Sequence, residues 1–180
     1  MQEITRTQYR IVAMTNVRHH TYPLRFIASL LWLGFVMAIS FMEAPLKFQA
    51  PAVSLAIGLG IGKIIFAALN KVEWVMLLII VLSFMMSGVT RKNWLWLGLV
   101  FIILAVQSVY LLPVLDARAS MIINGGSPPQ NNNHFFYIAL EVLKSMLLLV
   151  MTFQFIYGKN YIGRKSQQFE TTEEFVIKSK

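Results

Sequence analysis

The chain has 180 residues, 57% hydrophobic and 13% charged, with a net charge of +8 and no cysteine; a soluble domain has about 45–50% and 25%. The missing cysteines exclude disulfides, thiolate metal sites, iron–sulfur clusters and cysteine nucleophiles, and the length holds a single bundle of four or five helices. The basic residues flank apolar runs instead of forming a basic face, which points to anionic lipid headgroups and away from nucleic acid.

Residues 1–25 are polar and basic, with Arg6, Arg10, Arg18 and Arg25, and lack the pattern of a cleaved signal peptide. The first apolar stretch, Phe26–Met42, is followed by Glu43, Pro45, Lys47 and Pro51, and the prolines predict a break. Ala52–Leu69 carries Gly58, Gly60 and Gly62; with no preceding strand and no nucleotide-motif flanks, these glycines read as close helix packing. Asn70 and Glu73 then precede a third stretch, Trp74–Val89, and a fourth follows at Trp94–Leu115 with Gln107 and Tyr110 near its end. After Pro113, Asp116 is placed to cap a short helix ending at Asn124 or Gly125, before a Pro- and Asn-rich loop at residues 127–133. The last stretch, Phe135–Tyr157, precedes a polar tail over residues 158–180.

Charge counting sorts these five stretches. If all five cross with the N-terminus inside, six basic residues lie inside and eight outside, against the positive-inside rule. If Ala52–Leu69 stays on the outer face, eleven lie inside and four outside (Lys47, Lys63, Lys71 and Arg118). The expectation is an all-α integral membrane protein: a four-helix transmembrane bundle with spans at about 26–44, 73–89, 94–115 and 135–157. An extra outer-face interfacial or re-entrant helix covers 52–70, and both termini are cytoplasmic in a bacterial plasma membrane.

The most informative feature is a polar stripe on the last span. His134, Tyr137, Glu141 and Lys144 fall within an arc of about 80° on one helix face. Measured from the outer surface, Tyr137 lies about 3 Å deep, Glu141 about 9 Å and Lys144 about 14 Å. A lone Glu or Lys at that depth costs roughly 2.5–3.5 kcal/mol, so a partner or a function must offset it. Glu141 and Lys144 are one turn apart and suited to pair, with Glu43 as a second acid for the lysine. Ser40, Glu43, Gln107 and Tyr110 fall in the same outer third, while the inner halves of the spans are almost wholly apolar.

No hydrolase, nucleotide or metal motif is present, and only His134 lies near a span, so neither a bound haem nor any other cofactor is expected. The candidate residues are Glu43, Gln107, Tyr110, His134, Tyr137, Glu141 and Lys144, read as an outer polar pocket for a small or amphiphilic ligand such as a lipid or quinone. Two other functions suit the same stripe: a proton- or ion-coupled transporter in which Glu141 exchanges a proton, and a structural or assembly subunit bound to a membrane partner or to a second copy.

Gly34 in the first span, then Pro45 and Phe48, then a glycine-containing apolar helix ending Ile64-Ile65-Phe66, resembles the small four-span family typified by transmembrane protein 205. The likeness covers residues 26–90 and implies four spans with an amphipathic segment after the first. It implies no biochemistry and transfers no functional residue.

Overall fold

The computed structural model describes residues 23–86 and 89–178, with side chains up to residue 156, so most of the basic N-terminal segment lies outside it. The described residues are helical, with four helices long and apolar enough to cross a membrane. These are α1 (Pro23–Gln49), α2 (Leu55–Met86), α3 (Arg91–Ile123) and α4, which runs Asn133–Lys178 and whose apolar part is Asn133–Ile156. The polar segment expected as a separate tail continues α4 as helix up to Lys178.

Local chemistry sets the boundaries. Ala50, which precedes Pro51, is extended (φ −71°, ψ 132°), as the residue before a proline prefers, and it ends α1. Ser54 opens α2, its Oγ accepting the backbone N–H of Ile57 at 3.3 Å. At the end of α3, Gly125 adopts φ +81°, a left-handed conformation that costs glycine little. Its N–H donates to the Ile122 carbonyl and that of Gly126 to the Met121 carbonyl, closing the helix in a Schellman motif.

Two sequence expectations are corrected. Residues 52–70 do not form a separate interfacial or re-entrant helix: α2 runs unbroken through Leu69, Asn70 and Glu73. Its buried residues Gly58, Gly62, Leu69, Glu73, Leu77, Ile80 and Phe84 recur at spacings of one or two turns, so one continuous stripe faces the bundle. Glu73 belongs to that stripe and does not mark a boundary. Likewise, Asp116 caps no short helix, because α3 passes through Pro113 to Ile123.

Both prolines are accommodated by a widened turn. Just before Pro45, residues Met37–Glu43 form a π-helical turn in which the Ala44 N–H donates to the Ile39 carbonyl. Before Pro113, residues Gln107–Leu111 do the same, with the Leu112 N–H donating to the Gln107 carbonyl. A proline lacks the N–H for the carbonyl four residues back and crowds that group, so i→i+5 bonding lets the helix continue.

The helices run up and down. One end of the bundle, the basal end, brings together the start of α1, the end of α2, the start of α3 and the apolar end of α4. Its core contains Trp32, Leu77, Ile80, Phe84, Leu97, Val100, Leu148 and Phe155. Phe84 stands edge-on to Trp94 at 5.2 Å and to Phe155 at 6.0 Å. Arg25 is buried there, its Nε donating to Ser83 Oγ (2.9 Å) and its Nη2 to the Ser83 carbonyl (2.7 Å), with the guanidinium over the Phe84 ring. At the opposite, distal end, α2 and α3 exceed the roughly 20 residues that span a bilayer core. Their extensions pack together, and Lys63 Nζ donates to Ser120 Oγ at 2.6 Å.

Candidate functional site

A closed polar network lies between the two ends, at mid-height in the bundle. Lys144 is fully buried, and its ammonium uses all three protons: to Glu73 Oε1 at 2.5 Å, to Gln107 Oε1 at 2.8 Å and to Glu141 Oε2 at 3.0 Å. Gln107 Nε2 donates to Glu141 Oε2 at 2.6 Å and more weakly to the Tyr137 carbonyl at 3.4 Å. Ser40 Oγ donates to Glu141 Oε1 at 2.9 Å, and Trp32 Nε1 to Glu73 Oε1 at 3.0 Å. Each of the four helices contributes: Trp32 and Ser40 from α1, Glu73 from α2, Gln107 from α3, and Glu141 and Lys144 from α4.

The widened turns place two members. Ser40 lies in the π-turn of α1 and Gln107 begins the π-turn of α3, so they reach the Glu141 carboxylate from two neighbouring helices. With both carboxylates ionised, the cluster holds two negative charges against one positive. Buried ions repay their desolvation only when the geometry satisfies them, and the lysine here is satisfied in full.

Above the network, at the distal end, lies a cavity of about 740 Å³. Its floor is Ser40, Tyr137 and Glu141, and its walls are mainly apolar, including Phe41, Phe48, Leu59, Phe66, Leu115 and Ile122. Lys47, Lys63, Asp116, Arg118, Asn131 and His134 add polar groups higher up. Along α4 the distance from His134 to Glu141 is about 10 Å at 1.5 Å per residue. Tyr137 is held edge-on against Phe66 at 5.8 Å, and Lys47 Nζ lies over the Phe48 and Phe66 rings. Two glycines on α2 admit the end of α1: a Cβ on Gly58 would overlap the Phe48 ring, and one on Gly62 would stand 2.9 Å from Lys47 Nζ. Close packing accounts for both. The Pro- and Asn-rich loop also contributes, since Asn131 lines the cavity and the Pro129 carbonyl accepts from Arg118 Nη1.

Of the seven residues singled out from sequence, Gln107, Glu141 and Lys144 meet in the network, and Tyr137 and His134 line the cavity. Two lie elsewhere. Glu43 is not the second acid for Lys144; it pairs with Lys47 one turn along α1 at 3.3 Å, partly exposed. Tyr110 is 60% exposed and faces outward, because the π-turn directs Gln107 inward and its third neighbour outward. Glu73 and Trp32 were missed as site residues. Helical spacing through Leu69, Glu73, Leu77 and Ile80 is the signal that could have found Glu73; nothing in the sequence marks Trp32 as its donor.

Among the described residues, no cluster of His, Asp and Glu could hold a metal ion. Basal to Glu73, Gln107 and Lys144 stand the apolar core layers of Leu77, Ile80, Val100, Leu104 and Leu148. Compared with protein-family models, curated proteins and solved structures, the chain matches none.

Proposed function

We propose that this chain is an integral membrane protein that binds an amphiphilic ligand in its distal cavity. The carrying observation is the cavity itself: about 740 Å³, apolar-walled, with a polar floor and charged groups above. This lies within the roughly 300–1,000 Å³ of ligand pockets and matches their pattern of apolar walls with few polar groups. The outward faces support the lipid setting: Ile64, Met85, Val109 and Phe135 are each more than 70% exposed. The charge count favours cytoplasmic termini and a cavity on the outer side, taken as that of a bacterial plasma membrane, and the fused α2 leaves that count unchanged. In this reading Glu141 and Ser40 form the floor, while Lys144, Glu73 and Gln107 hold the floor rigid from below. The apolar basal layers argue against a proton path across the bundle.

Mass spectrometry of the gently purified chain tests the reading directly. A stoichiometric co-purifying amphiphile, lost on filling the cavity by Ala119→Phe, is the expected result; its absence from both proteins speaks against the reading. Since the chain has no cysteine, single cysteines at Asn131 and Asn93 test orientation. An impermeant thiol reagent should label the first and not the second in intact cells.

A second reading is a purely structural lock, favoured by the network's contact with all four helices. Under it Glu141→Gln changes stability but no bound molecule, because none is present.

A further inference from the structure

The cavity's charged groups are unequally paired, and the pairing narrows the ligand class. Lys47 pairs with Glu43, and Glu141 shares Lys144 with Glu73. Lys63 and Arg118 also line the cavity, and among the described residues neither is within ion-pair distance of a carboxylate. Lys63 has one hydrogen bond to Ser120 Oγ, and Arg118 one to the Pro129 carbonyl. That leaves two ammonium protons and four guanidinium protons uncommitted within the protein. Asp116 is the remaining acid beside them, and His134 stands nearby on α4.

The geometry points to a single-chain amphiphile with an anionic head, held by Lys63 and Arg118, its chain directed between Phe48, Phe66 and Leu115 toward Tyr137. This rests on the amphiphile reading above and narrows it. An anionic head follows because two unpaired cations stand against one unpaired acid, Asp116, and Arg matches carboxylate and phosphate geometry in particular. A single chain follows from size. At about 740 Å³ the cavity takes a ligand of drug-like volume, whereas a two-chain phospholipid would leave much of itself outside. The depth of about 10 Å from His134 to Glu141 suits an extended chain of moderate length. The chain end need not touch an unsatisfied charge, since both Glu141 oxygens already accept hydrogen bonds.

The full chain in phosphatidylcholine nanodiscs, which keep detergent out of the cavity, is titrated with radiolabelled dodecanoate, dodecanoyl lysophosphatidylglycerol and dodecanol. Saturable binding of at least one anion is expected, with dodecanol about tenfold weaker. Lys63→Gln and Arg118→Gln should each weaken anion binding about tenfold and leave dodecanol unchanged, while Ala119→Phe removes binding of all three. Preference for dodecanoate identifies a free fatty acid as the source and preference for the lysolipid a phosphate headgroup; either supports the anionic head. Equal binding of dodecanol and the anions, unaffected by the two charge variants, overturns the anionic head but leaves an amphiphile site. No saturable binding of any probe overturns both. Elution position and unfolding temperature of each variant confirm that losses reflect the site and not misfolding.

Discussion

The two ends of this bundle solve different packing problems with the same four helices. At the basal end, Trp32, Ile80, Phe84, Leu104 and Leu148 are almost wholly buried in an apolar core, and polar contacts such as Arg25 to Ser83 and Thr152 to Ser29 accompany it. Toward the distal end two helices carry π-turns, the polar contacts at mid-height occupy the axis of the bundle, and a cavity lies above them. The difference shows where tight packing has been given up. A polar layer rigid enough to floor a cavity requires groups held in register from every helix, and Pro45 and Pro113 impose the backbone widening that sets two of them.

The sharpest way to break this contrast is Lys144→Met. It leaves Glu73 and Glu141 buried together without their cation, and unfolding followed by circular dichroism should show a loss of about 3–5 kcal/mol. Glu141→Gln, which leaves one ammonium facing one carboxylate, should cost far less. Next come two matched overpacking variants. Ala28→Phe in the basal core should destabilise by about 1–3 kcal/mol, whereas Ala119→Phe beside the cavity should stay within about 0.5 kcal/mol. If the two shift the unfolding temperature equally, the cavity is not open space.

Gln107→Leu strips one hydrogen bond each from Lys144 and Glu141, and a loss of about 1–3 kcal/mol is expected from the groups left short of a partner. The smallest effect has the opposite sign. Gly60→Ala meets nothing within 4 Å and should raise stability by about 0.5–1 kcal/mol, while Gly58→Ala, one turn-half away, displaces Phe48 and lowers it.

Much of this contrast was legible in the residues themselves. The stripe from His134 to Lys144 follows from helical spacing, and the meeting of Gln107 with Glu141 follows from counting along the two spans. The error lay in treating Asn70 and Glu73 as a boundary because they are polar. No glycine or proline separates Leu69 from Trp74, so the backbone had no reason to break, and the burial of Glu73 depends on a cation from another helix. Pro113 misled in the same way, since whether a proline ends a helix or widens one turn depends on what surrounds it. Glu43 and Tyr110 fall outside the network because each lies within a π-turn, which shifts the rotational phase from that of an ordinary helix.

Because the network closes only through α4, it also bears on how the chain is made. In a bilayer, apolar faces give helices little reason to associate, so polar contacts and close fit decide which surfaces meet. In the proposed membrane setting, Glu141 and Lys144 arrive together on one helix and pair with each other. Glu73 arrives two helices earlier, before its cation has been synthesised. Until then Glu73 has the Trp32 indole but no cation, and the final helix supplies it.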